Sequence, residues 1–339
     1  MEFLNEYALF LAKAATAVLA AALVVGMLAS LGRRGKAPGS RIEVTDLNRE
    51  YEEMERALCA ALLPPKERKQ KQKSDKKKKS AAAKQRRKEE RRRKRVYVLD
   101  FVGDIHASAV ASLRREISAL LTVAESGDEV VVRLESGGGV VHGYGLAASQ
   151  LRRIRERGIA LTVSVDKIAA SGGYMMACVA NQIIAAPFAV LGSIGVLAQI
   201  PNLHRFLKKR DVDFEQLTAG EFKRTLTLFG ENTDKAREKM QQELEEMHGL
   251  FKEHVKTQRP NLNIDAVATG EHWLGARALE LGLVDKLQTS DDYLMAARED
   301  ARLVRLRYAG RKKFLEKLAA AFRGGAPGND GALERPLFM

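Results

Sequence analysis

The sequence predicts an α/β domain with a mainly parallel sheet, preceded by one transmembrane helix and a charged linker. Three observations carry that prediction. From Val96 onward, apolar runs of strand length alternate with amphipathic helical stretches, the mark of stacked βαβ units. Residues 7–31 form a 25-residue apolar run whose only charge is Lys13, and a bilayer core takes about 20 such residues. The formal net charge of +14 sits in one segment: residues 66–95 hold 18 Lys/Arg against 4 acids, and the rest of the 339-residue chain is balanced at 39 of each.

Taken in order, residues 1–31 are the predicted anchor. As a helix the apolar run would extend about 37 Å, and Lys13 lies near its start, where its stem can reach the interface. A cleaved signal peptide is the alternative, but the preceding MEFLNE is acidic rather than basic. Residues 32–95 are predicted as an amphipathic juxtamembrane helix and a basic linker. Apolar Ile42, Val44, Leu47, Tyr51, Met54, Leu58 and Leu62 recur over 41–63, and Pro64-Pro65 ends the helix. The 66–95 tract has almost no apolar content and cannot bury a core. No aromatic lies between Tyr51 and Tyr97 to stack on bases, which argues against nucleic acid as a partner. Anionic lipid headgroups are the expected one.

Residues 96–290 make the predicted globular domain. Strands are expected at 96–101 (VYVLDF), 129–134 (EVVVRL) and 159–165 (IALTVSV), with helices at 108–124 and at 146–157, the latter ended by Gly158. Short strands at 182–185 and 193–197 and a long charged helix at 234–256 follow, and the domain closes near Val284-Asp285-Lys286. Residues 291–339 are expected as a helical tail whose Gly/Pro-rich end is disordered. The two cysteines, Cys59 and Cys178, have no second thiol nearby, so neither a zinc site nor a disulfide framework is indicated. Cys178 lies in an apolar run and is expected in the core.

Chemistry concentrates at two glycine-rich turns. Ser171 lies in AASGGY, directly after the third strand and before an apolar helix at 175–179. A serine there has its hydroxyl near the helix start, glycines let a substrate backbone approach, and the Gly172 N–H is a natural oxyanion donor. The same pattern also suits a helix N-cap in a tight turn. Gly137-Gly138-Gly139 ends the preceding strand, and its N–H groups can face the same crevice. A phosphate cradle is disfavoured, since neither G-x-x-x-x-G-K-[ST] nor a helix-opening G-x-G-x-x-G occurs. The base that would activate Ser171 stays open on spacing alone. His142 is the imidazole nearest in sequence, and Lys223 is one lysine among many; a lysine serves only if burial lowers its pKa from about 10.4.

The turns ESGGGVVHGYG and AASGGYMMA, with LGSIGV and GEFKRTLTLFGENTD, resemble the signal peptide peptidase A family of serine proteases, specifically its SohB branch. The resemblance covers roughly residues 96–290, and the N-terminal anchor and charged arm share it. It implies the ClpP/crotonase-like fold. It also implies Ser171 as nucleophile, Lys223 as general base and Ser193 as the hydroxyl that orients the lysine amine, with an oxyanion hole from Gly172 and Gly138 or Gly139. No metal or cofactor is implied. A ring-like homo-oligomer is, in which Lys223 reaches Ser171 of a neighbouring copy, and the substrates are membrane-derived or signal-like peptides at a bacterial inner membrane. One departure is visible: the family turn reads Ser-Pro-Gly-Gly, and this one reads Ser136-Gly137-Gly138-Gly139.

A crotonase-like acyl-CoA enzyme and a non-catalytic membrane scaffold are the competing functions. The joint presence of Ser171, Lys223 and Ser193 speaks against the scaffold, and hydrolysis of peptides but not thioesters would separate the protease from the acyl-CoA enzyme. Arg33, Arg34 and Lys36 follow the apolar run, so the positive-inside rule favours a cytoplasmic domain. The resemblance implies the periplasmic side, and the sequence leaves the side open.

Overall fold

The computed structural model describes residues 2–32, 41–64, 67 and 93–309. The chain divides into two units, residues 1–41 with 309–339, and residues 42–308. In the first, α1 (Glu2–Gly32) is one continuous helix. Its side chains are described over residues 6–21, where all are exposed. Among the described residues no helix is long and apolar enough to cross a membrane. Most of the 66–95 tract and the tail beyond residue 309 lie outside the described residues.

The second unit is built around a ten-stranded sheet among the described residues. Its first half runs β1 (Arg41–Asp46), α2 (Leu47–Leu62), β2 (Arg95–Gly103), α3 (Val110–Leu120), β3 (Glu129–Ser136), α4 (Val141–Glu156) and β4 (Ala160–Val165). Then come β5 (Ile168–Ala170), α5 (Gly172–Ala177), β6 (Gln182–Ala185), β7 (Val190–Gly192), α6 (His204–Lys208) and α7 (Asp234–Gln258). The unit ends with α8 (Ile264–Val267), β8 (His272–Leu274), α9 (Gly275–Glu280), β9 (Lys286–Leu287), α10 (Ser290–Ala297) and β10 (Arg302–Ala309).

The main path is β1-β10-β2-β3-β4-β6-β9, and the pairs from β10 to β9 are parallel. β3 is the branch point. Its body pairs with β4, while its last residue, Ser136, pairs with Ala169 of β5. β5 then pairs in parallel with β7, and β7 antiparallel with β8. Alternation along the strands divides the core. Tyr97, Leu99, Phe101, Val130, Val132 and Leu134 face the main cluster with Leu113, Ile117, Leu120, Leu151 and Ile154 of α3 and α4. Val96, Val98 and Val131 face a second cluster with Leu47, Leu294 and Leu303.

Three expectations are corrected. Residues 41–46 form a strand rather than the start of the helix, because Ile42 and Val44 follow a period of two. The helix begins only at Leu47, where the Asp46 side chain caps the Arg49 N–H. Residues 302–309, expected within a helical tail, form β10 and pair with β2 from Arg302↔Arg95 to Leu306↔Leu99. The strand expected at 193–197 lies earlier, at Val190–Gly192; Gly192 (φ 97°) and Ser193 (φ 51°) both leave extended geometry and end it.

Candidate active site

Strand register brings three chain turns side by side. Ser136 pairs with Ala169, and Ala170 with Gly192. Gly138, Ser171 and Ser193 therefore follow at the carboxyl ends of three adjacent parallel strands, spaced about 4.8 Å apart. Such an edge is where open α/β sheets bind ligands. The Ser171 N–H extends the ladder by one bond, donating to the Gly192 carbonyl at 2.8 Å. The Ser193 N–H donates to the Glu271 carbonyl at 2.6 Å.

Ser171 has φ 51° and ψ −118°, and Ser193 also has φ 51°. Both are non-glycine residues at positive φ, a conformation that costs about 1–3 kcal/mol and persists where the surroundings enforce it. A serine on a strained strand-to-helix turn presents its hydroxyl outward. Ser171 is half-buried, so the hydroxyl is accessible while the turn beneath it is packed.

The glycine turn lies directly on the Ser171 turn. A Cβ on Gly138 (φ 93°) would sit 2.7 Å from Gly172 N, 2.8 Å from Ser171 Cβ and 2.9 Å from the Ala170 carbonyl oxygen. Only glycine fits there. The Gly138 N–H donates to Ser136 Oγ at 3.1 Å, while the N–H groups of Gly139 and Gly172 have no acceptor among the described residues. Beneath the turn, Tyr144 is fully buried at the start of α4. Its hydroxyl contacts Ser136 Oγ at 2.6 Å and donates to the Asp104 carbonyl at 2.7 Å. Burial holds the Tyr144 phenol above its ordinary pKa, partly offset by the Ser136 hydrogen bond. The Asp104 carboxylate accepts from the Ser108 N–H and hydroxyl at 2.8 and 2.7 Å, bonds that hold its pKa below the usual value.

Ser136 and Tyr144 carry no local sequence signal of a site role. A tyrosine five residues past a glycine turn gives no sign of burial; only the helix period, which places it with Ala147, Ala148 and Leu151 on the inner face of α4, could have pointed to it.

Lys223 makes no hydrogen bond to Ser171 among the described residues. It lies exposed in the stretch between α6 and α7, and its side chain makes no hydrogen bond or ion pair among the described residues. The neighbouring Phe222 ring is 43 % exposed and faces the ammonium groups of Lys235 and Lys239. His142 is exposed in the first turn of α4. Cys178 is fully buried, as expected, and burial pushes its thiol up to about 12. A cavity of about 670 Å³ lies elsewhere, over the charged face of the sheet at Asp100, Arg133, Glu135, Asp166 and Lys167, and none of the predicted site residues lines it.

Comparison with known sequences is decisive for the family. Residues 2–151 match the N-terminal region of peptidase family S49, and residues 153–304 match the peptidase family S49 domain itself. The chain belongs to peptidase family S49. The family has the ClpP/crotonase-like fold, and membership makes the chain a peptidase. A probable protease SohB of Haemophilus influenzae is 50% identical over 324 residues, covering 93% of this chain and 92% of the relative. A probable protease SohB of Buchnera aphidicola is 53% identical over 321 residues, covering 95% and 94%. Among solved structures, a mutant of the 1510-N membrane-bound stomatin-specific protease in complex with a substrate peptide aligns at TM-score 0.40 and 15% identity. That alignment covers 68% of this S49 chain and 99% of the other.

Proposed function

We propose that this S49 peptidase is a membrane-anchored serine endopeptidase in which Ser171 is the nucleophile and Lys223 the general base. The observation that carries this is the strained Ser171 turn, flanked by the glycine turn on one side and Ser193 on the other. Neutral Lys223 takes the Ser171 proton as Oγ attacks a peptide carbonyl, with Ser193 orienting the amine. The N–H groups of Gly172 and Gly139 hold the tetrahedral oxyanion, since the Gly138 N–H already donates to Ser136 Oγ. The lysine then protonates the leaving amine, and water hydrolyses the acyl-enzyme. Ser171→Ala should abolish hydrolysis of peptides without loss of folding. Residual activity above about a thousandth of wild type would remove Ser171 from this role.

Lys223 reaches the site from a second copy in a homo-oligomeric ring. What favours this is the apolar exposure around it: Phe206 is 57 %, Phe214 43 % and Leu217 95 % exposed in the same stretch of chain. Large apolar side chains exposed in this way mark a surface that a partner covers. The substrates are membrane-derived or signal-like peptides with small or apolar residues at the cut. Residues 7–31 anchor the enzyme in the bacterial inner membrane, and the 66–95 tract contacts anionic headgroups. Protein lacking residues 1–31 should still bind anionic vesicles in low salt and release them in high salt; indifference to anionic lipid would remove the tract from this role.

A further inference from the structure

We propose that Tyr144 is the positioning residue of the oxyanion site, fixing the glycine turn through Ser136 and Gly172 through its own ring. The proposal rests on the assignment of Ser171 as nucleophile. Proton counting sets the direction of the hydrogen bonds. Tyr144 has one hydroxyl proton, and it goes to the Asp104 carbonyl at 2.7 Å. The 2.6 Å contact between Ser136 Oγ and Tyr144 Oη is therefore donated by Ser136. Having given its proton away, Ser136 Oγ accepts the Gly138 N–H at 3.1 Å. The chain runs one way, from Gly138 through Ser136 and Tyr144 to Asp104, and each bond polarises the next.

Space for this chain is made by Gly103, where a Cβ would lie 2.5 Å from Tyr144 Oη and 2.6 Å from Ser136 Oγ. On the other side, a Cβ on Gly172 would lie 2.5 Å from Tyr144 Cγ, so the backbone of the nucleophile turn rests on the ring. One fully buried side chain thus touches the supports of both donor-bearing turns. Donors must stand about 2.7–3.1 Å from the developing oxyanion, so a small shift of either turn weakens the transition state more than the ground state.

The test uses full-chain protein in detergent and measures kcat, KM and Tm on a peptide substrate, with active sites counted by titration. The variants are Tyr144→Phe, Ser136→Ala, their double, and Ser171→Ala. Tyr144→Phe keeps the ring against Gly172 and removes only the hydroxyl. We expect kcat per active site to fall about 10- to 100-fold, with KM changed less than about twofold. The pH profile should keep its shape, and the double variant should be no slower than the worse single, because both cut the same chain. A lowered Tm with unchanged kcat per active site would overturn the proposal, and so would multiplicative losses in the double. If Tyr144→Phe fails to fold, Ser136→Ala carries the same kcat test alone. Wild-type kcat in Tyr144→Phe beside an inactive Ser171→Ala refutes this proposal and leaves the nucleophile standing. An active Ser171→Ala refutes both.

Discussion

Replacing Gly138 by alanine perturbs the contact on which the site geometry depends. At φ 93° an alanine carries strain of about 1–3 kcal/mol. Its Cβ would also press to within 2.7–2.9 Å of Gly172 N, Ser171 Cβ and the Ala170 carbonyl oxygen. Two of these atoms are backbone and the third is Ser171 Cβ, so relief requires the two turns to separate, at an overpacking cost of about 1–3 kcal/mol. Together these costs, about 2–6 kcal/mol, should lower Tm on the order of 5–20 °C for a domain of this size. Separation of the turns misplaces an oxyanion donor, so kcat/KM should fall on the order of 100- to 1,000-fold. Gly145, seven residues on, is the control. A Cβ there meets nothing within 4 Å, and the position is inside α4, so alanine should stabilise by about 1 kcal/mol and leave activity intact. The pair is assayed by thermal unfolding and by kcat/KM on one peptide. Wild-type Tm and kcat/KM in Gly138→Ala would refute the packing of the glycine turn against Ser171.

Two further predictions follow from the same chain. Lys223→Met and Lys223→Arg should both be inactive, since a guanidinium stays protonated at any working pH; mixing inactive Ser171→Ala with inactive Lys223→Met before assembly should restore part of the activity, and no restoration would place both groups in one subunit. Glu116 is 4 % exposed and accepts the Tyr308 N–H at 2.7 Å, and burial raises its pKa above the ordinary 4.5 more than that bond lowers it. Its stabilising share is then present below pH 4.5 and lost as pH rises through the folded value. Glu116→Gln, which keeps an acceptor for Tyr308, should raise Tm at neutral pH but not at pH 4; an equal shift at both would refute the burial effect.

The elements legible in sequence were those with a clean period. β2, β3 and β4 fall on the expected runs because each carries buried apolar residues at a period of two, and β6 occupies the expected 182–185. β10 was hidden because RLVRLRYA breaks strand alternation at Leu303-Val304 and places Arg302 and Arg305 at helical spacing; its strand character comes from pairing with β2, about 200 residues away in sequence. Ser171, Gly138 and Gly172 were legible because glycine runs at strand ends signal close backbone approach. The support beneath them was not, since Ser136, Tyr144 and Asp104 meet only once β3, α4 and the β2–α3 connection are folded together. Lys223 is reached through family resemblance, since one lysine among many carries no local signal of its own.

The central claim is that Ser171 is the group acylated in turnover. Reaction of the full-length protein with a fluorophosphonate, followed by proteolysis and mass mapping, tests it directly. One covalent adduct is expected, on the peptide that contains Ser171, formed in step with loss of activity and absent from heat-unfolded protein. An adduct on any other residue, or complete inactivation with Ser171 unmodified, would contradict the assignment.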